Sequence, residues 1–130
     1  MVMLAGACGV RPTPILPGSA APTVSVHEVT VYFGSADGTT LVRRTRSHTG
    51  SVDNTTAITT LIEGLTDEEK RLGLRTEVPR TSTPVLTVSN LILLPTDMLP
   101  LSKLASYQLF CTALANGAAV NGLPSGVDCP

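Results

Sequence analysis

Glu28-Val29-Thr30-Val31-Tyr32-Phe33-Gly34-Ser35-Ala36-Asp37-Gly38 combines a period-2 apolar run with a turn signal, the pattern of a strand entering a hairpin. Val29, Val31 and Phe33 fall on one side of an extended chain, Thr30 and Tyr32 on the other. That alternation is the mark of a strand with one buried face. It begins near Val24. Asp37-Gly38 supplies the positive φ of a tight hairpin turn. Thr39 to Arg46 is therefore expected to return as a second strand, with Leu41 and Val42 near its start. The far end, Arg43-Arg44-Thr45-Arg46, is strongly polar, which suits an edge strand that must resist pairing with other chains.

Downstream the period changes from 2 to 3.6. Ser51 or Asp53 is placed to cap a helix running to about Glu63. Ala57, Ile58, Leu61, Ile62 and Leu65 share one face of it, and Gly64 can end it in the left-handed conformation. Thr66-Asp67-Glu68-Glu69 is a capping box, in which Thr66 accepts from the third amide and Glu69 reaches back. Lys70-Arg71-Leu72 completes one short turn with cations at its C-terminal end, and Gly73 stops it. Arg75 to Pro79 reads as a loop. Pro84 opens a short strand over Val85–Val88, Ser89-Asn90 a turn, and Leu91–Leu94 a fully buried strand closed by Pro95. A second long helix is expected from about Pro100, a residue tolerated in a first turn. Its buried stripe is Leu101, Leu104, Ala105, Leu109 and Thr112, and Asn116-Gly117 is its stop. Val120 to Leu123 is the last candidate strand. The order β-β-α-(short α)-β-β-α-β predicts an α+β fold: a two-layer sandwich of one mixed sheet with both main helices on one face.

Composition limits what such a domain does. The 130 residues make room for one domain. A hydrophobic fraction of 42% with 15% charged residues is too apolar for a disordered chain. Nine Lys+Arg against ten Asp+Glu leave a formal charge of -1, so no global field recruits nucleic acid or an anionic membrane. With no Trp and 3% aromatics, stacked bases find few platforms. The apolar run Leu91-Ile92-Leu93-Leu94 is far short of the roughly 20 residues a spanning helix needs.

The chain starts Met1-Val2-Met3-Leu4-Ala5-Gly6-Ala7-Cys8-Gly9. Small residues leading into a cysteine followed by Gly resemble the end of a bacterial lipoprotein signal. The resemblance implies a thioether-linked diacylglycerol on Cys8, and two acyl chains are enough for stable membrane anchoring. Ala5 stands where the family usually has a large aliphatic residue, and the charged segment of a signal peptide is missing. Residues 9–23 hold four prolines with Gly and Ser and no apolar period, the composition of an extended, semi-stiff tether. Three organisational pieces follow: a truncated signal at 1–8, a Pro-rich tether at 9–23 and a folded domain at 24–130. The remaining cysteines, Cys111 and Cys129, fit one disulfide in an exported protein, worth about 3 kcal/mol by loop closure. The competing reading leaves Cys111 an inert core residue and Cys129 a free thiol. No metal site is expected, because two distant cysteines with only His27 and His48 lack closely spaced ligand pairs.

One family resemblance covers most of residues 28–130. The strand Glu28–Phe33 is followed by an amphipathic helix ending Leu61-Ile62-Glu63-Gly64-Leu65-Thr66-Asp67-Glu68-Glu69, then by Gly73-Leu74-Arg75-Thr76-Glu77-Val78-Pro79. This resembles the GerMN domain, the module named from spore-germination and sporulation proteins. Leu65 stands where that family often has proline, while Thr66 and Glu69 keep the capping logic. Tyr107-Gln108-Leu109-Phe110-Cys111-Thr112-Ala113 and the terminal Asp128-Cys129-Pro130 resemble the family's lipoprotein branch in high-GC Gram-positive bacteria. The resemblance implies a role in envelope or sporulation assemblies, and its motifs are structural rather than catalytic.

Enzyme signatures are absent from the sequence: no His-Glu-x-x-His, no Gly-x-Ser-x-Gly and no Gly-x-x-x-x-Gly-Lys. Asp67, Glu68 and Glu69 are accounted for by capping and by the helix dipole. Asn54-Thr55-Thr56 matches a glycosylation sequon but reads most simply as a helix start. The expectation is a non-catalytic module without cofactor, lipid-anchored on the outer face of a bacterial cell membrane. It acts by binding a protein partner or a second copy of itself, and not nucleic acid. The alternative is a small-ligand or cell-wall receptor, or a hydrolase, in which Arg43, Arg44, Arg46 and His48 contact an anion or partner. A third is a purely structural spacer.

Overall fold

The computed structural model describes residues 26–123 and 127–130. Cys8 and the tether at 9–23 lie outside the described residues. The elements run β1 (Val26–Gly34), β2 (Leu41–Thr49), α1 (Thr56–Glu63), α2 (Asp67–Arg71), β3 (Leu86–Val88) and β4 (Leu91–Leu93). A 3-10 turn at Thr96–Met98, α3 (Lys103–Ala115) and β5 (Ala119–Val120) complete them. This is an α+β fold with the expected element order. The strands, however, are divided between two sheets rather than joined in one. β1 and β2 form an antiparallel pair, and β3-β4-β5 a second, mixed sheet in which β4 and β5 are parallel.

The division has a visible cause at the second edge of β1. Pairing with β2 uses the backbone groups of alternate residues and leaves those of Thr30, Tyr32 and Gly34 pointing the other way. Another strand would normally take them. Here α3 does so with side chains spaced four apart along one stripe. Asn116 exchanges bonds with the Thr30 carbonyl at 2.8 Å and its amide at 3.4 Å. Thr112 Oγ1 accepts from the Tyr32 amide at 3.0 Å, and Gln108 Nε2 donates to the Tyr32 carbonyl at 3.1 Å. Gly34 pairs with Arg75 in an isolated bridge. Side-chain bonds thus complete the ladder, and a buried polar stripe is tolerated because every bond is made.

The adjoining stripe of α3, Ala105, Leu109 and Ala113, meets Val31 and Phe33 of β1 and Ile58, Leu61 and Ile62 of α1 in one apolar cluster. Ile92 of β4 and Val120 of β5 enter the same cluster, so both sheets share a core with both long helices. Leu65 and Leu101 are packed against it at the periphery.

Several boundaries differ from expectation for local reasons. β1 and β2 are joined by a longer loop, Ser35–Thr40, closed by Ser35 N–H on the Thr40 carbonyl at 2.9 Å. Asp37 organises it by accepting from Ser35 and Thr39, whose bonds lower its pKa to about 2. β2 continues through His48 to Thr49, because β1 offers partners all the way to Val26. α1 starts at Thr56, since Asp53 spends its carboxylate on Thr55 and Thr56 in a turn before the helix. α3 starts at Lys103 rather than Pro100, because Ser102 caps it by accepting from the Ala105 amide at 3.1 Å. The expected Thr66–Glu69 capping box is present, both halves formed.

Candidate functional site

Register sorts the polar residues of β2. Arg44 and Arg46 lie opposite Val31 and Val29, so they project on the core side of the hairpin, while Arg43 lies opposite Tyr32 on the other side. Arg46 crosses the Phe33 ring with its guanidinium 5.3 Å from the ring centre. Both core-side arginines then reach Glu69 of α2, which is 2% exposed: Arg44 Nε at 3.4 Å, and Arg46 in direct contact through Nη2. Arg46 also donates to the Gly64 carbonyl at 2.9 Å. Burial pushes the Glu69 carboxyl up, but the Thr66 amide, Arg46 and Arg44 outweigh it and hold the group below its ordinary range. Arg43, Arg44, Arg46 and His48 therefore do not converge as one receptor for an external anion. Arg44 and Arg46 already have an internal one in Glu69. Sequence reading treated Glu69 as a capping residue alone, and its second role depends on β2 crossing α2.

At the opposite end, Cys111 and Cys129 are joined as a disulfide, with their Cα atoms 5.6 Å apart. Tyr32 Oη donates to the Pro130 carbonyl at 2.6 Å, so the segment Val127–Pro130 is held to α3 and to β1. A broad groove of about 1070 Å³ runs beside it, walled by Leu41, Leu104, Tyr107 and Val127. Its charged groups are Lys103 and Asp128. Lys103 sits 5.7 Å from the centre of the Tyr107 ring, an exposed cation–π contact. The groove is remote in register from Arg44–His48, bordering the start of β2 instead.

The third feature was not legible as a surface. Leu91–Leu94 reads as a strand buried on both faces, yet only Ile92 of β4 is buried. Cross-strand pairing puts Leu86 with Leu93, Val88 with Leu91, and Leu91 with Ala119, all on the side of the sheet away from the core. Val88 and Leu86 are 60% and 62% exposed, Leu91 37%. A shallow hollow of about 300 Å³, bordered by Leu93, Leu99, Leu101 and Leu123, extends this surface. The outer face of this hairpin carries no charge: residues 81–96 contain no Asp, Glu, Lys or Arg. β3 is also an open edge in the strand order. Val88–Leu91 and Leu86–Leu93 are the pairs that bond across the two-residue turn, so the backbone N–H and C=O of the intervening Thr87 point outward. Among the described residues nothing pairs with them.

No family model, curated protein or solved structure matches this chain. Site assignment accordingly rests on geometry. Among the described residues no group of three or more His, Cys, Asp or Glu side chains is placed to hold a metal ion. No described helix is long and apolar enough to cross a membrane. The three carboxylates with lowered pKa, Asp37, Asp53 and Glu69, are all held by bonds from their own neighbourhood. The sheet β3-β4-β5 presents an exposed apolar face and an open edge at β3. Contiguous exposed apolar surface of this kind marks contact sites on soluble domains.

Proposed function

We propose that the protein is a lipid-anchored, extracytoplasmic module of the GerMN type that works by association, with a protein partner or with itself, in an envelope or sporulation-type assembly. The observation that carries the association is the uncharged outer face of β3-β4-β5, with Leu86 and Val88 more than half exposed on it. The Cys111–Cys129 disulfide supports an oxidising compartment, because such bonds rarely persist in a reducing cytosol. The small-residue approach to Cys8 supports the anchor. The strand–helix–capping-box order, with Thr66 and Glu69 bonded reciprocally, supports the GerMN reading.

Mass spectrometry of the protein recovered from bacterial membranes tests the location. A diacylglyceryl thioether on Cys8 is expected, and an unmodified Cys8 on protein found in the cytosol overturns it. A photo-crosslinking residue at position 88, compared with one at position 43, tests the association. Adducts of defined mass from position 88 alone are expected. Equal labelling from both positions overturns the assignment of the contact face.

A further inference from the structure

We infer that the occupant of the open β3 edge is the β3 strand of a second copy of this chain, paired antiparallel about a twofold axis at Thr87. This rests on the association reading above and names its partner. The outward N–H and C=O of Thr87 belong to one residue, so two copies can exchange both bonds with each other in a single ring. In that register Leu86 of one copy lies beside Val88 of the other, twice over, on the outer face. Directly opposed side chains stand about 5 Å apart.

Two observations favour this occupant. Exposure rises toward the seam: Leu91 on the central strand is 37% exposed, while Val88 and Leu86 on the edge strand are 60% and 62%. A partner lying flat on the sheet would find its centre as bare as its edge; one joining at the edge covers the residues that are most exposed. Charge gives the second. β2, the free edge of the other sheet, carries Arg43, Arg44 and Arg46, and the remaining edge of β1 is closed by Gln108, Thr112 and Asn116. Edges are usually blunted in such ways. β3 has no charge of its own, so a like copy meets no repulsion and a charged partner gains nothing there.

The geometry also limits the assembly. β3 is only three residues long, so the seam stays short. A twofold contact uses up both β3 edges, which gives a closed dimer rather than a fibre. A three-residue seam is far smaller than a standard interface, so the dissociation constant should be on the order of 10⁻⁴ M. Confinement at a membrane would raise the local concentration into that range.

The test uses the full chain with its disulfide intact. Sedimentation velocity from about 10 µM to about 1 mM should show a monomer–dimer equilibrium in that range. Backbone NMR shifts that move with concentration should centre on residues 85–89, with the Thr87 amide slowed in exchange. Thr87→Pro removes the outward N–H together with the Thr side chain, and Val88→Lys places like charges across the seam; each should weaken the dimer at least tenfold. If Thr87→Pro does not fold, Val88→Lys and the wild-type shifts decide. A single monomeric species at about 1 mM overturns the inference. So does a dimer unchanged by both variants, growth beyond the dimer, or shifts centred elsewhere. None of these outcomes touches the Cys8 lipid or position-88 crosslinks to a different protein, so the association reading is judged separately.

Discussion

Thr112 Oγ1 accepts from the Tyr32 amide 80 residues earlier in the chain, at 3.0 Å, in a site closed to solvent. A helix hydroxyl stands where the carbonyl of a third strand would be. Because both residues are buried, the bond has no water to fall back on.

Thr112→Val keeps the shape and removes the acceptor, leaving the Tyr32 N–H unsatisfied. A loss of about 1–3 kcal/mol is expected in urea unfolding. Thr112→Ser retains the oxygen and should recover most of it. Equal losses in the two variants would mean that the methyl, not the bond, matters.

Gln108 is the more demanding member of the ladder. It donates to the Tyr32 carbonyl and to Thr76 Oγ1 at 2.9 Å, and accepts from the Glu77 amide at 2.9 Å. Gln108→Leu leaves the Tyr32 carbonyl and the Glu77 amide without a partner, while Thr76 Oγ1 keeps the Val78 amide, and should cost more than Thr112→Val, about 2–4 kcal/mol. It should also raise amide exchange at Glu77, which exchange mass spectrometry reads directly.

Glu69 links pH to stability. Its folded pKa lies below the unfolded value, so it binds protons more weakly when folded, and its contribution is present above the unfolded pKa of about 4.3. That contribution is lost as pH falls through the lower, folded value. Glu69→Gln should therefore be less stable than wild type at pH 7, by about 1–2 kcal/mol after allowing for the partial exposure of both arginines. The gap should close as the pH drops below about 4. A gap that is constant with pH would assign the loss to packing.

Reduction of Cys111–Cys129, which are 18 residues apart, should lower stability by about 3 kcal/mol. It should also free the Pro130 carbonyl from Tyr32. Comparing melting temperatures with and without reductant, in wild type and in Tyr32→Phe, separates the two. The Tyr32→Phe effect should shrink once the bridge is open. An undiminished effect would show that the tail docks without its covalent tie.

Ser89 is the one described non-glycine residue at positive φ, +56°, while Asn90 is not. Positive φ at the first central position is the habit of a type II′ turn, which favours Gly there. Ser89→Gly should stabilise the β3–β4 hairpin by roughly 0.5–1 kcal/mol. A destabilised variant would show that the Ser89 side chain has a use the turn does not explain.

Much of this was written in local pattern. The alternation around Val29, Val31 and Phe33, the apolar face of α1, the Thr66–Glu69 box and the β3–β4 turn all depend on neighbours within a few residues. Such features carry their own periodicity and chemistry, and they are found where the pattern puts them. Gln108 was not legible as a core residue, nor Asn116 as more than a helix stop, because a polar stripe on a helix reads as a solvated face until the edge it satisfies is known. Leu91–Leu94 failed the opposite way: four apolar residues in a row look buried on both sides, and whether a second layer covers them is not a property of the run.

The α+β class and the succession of elements follow from the amino-acid order, through short-range periodicity and capping, whereas counting cysteines left the Cys111–Cys129 bridge as one of two readings. Packing in three dimensions was needed for α3 to close the edge of β1, for Glu69 to take up Arg44 and Arg46, and for the outer face of β3-β4-β5 to stand open. These are relations between segments far apart in the chain, fixed by which backbone groups and which faces still lack a partner once the local pieces have packed.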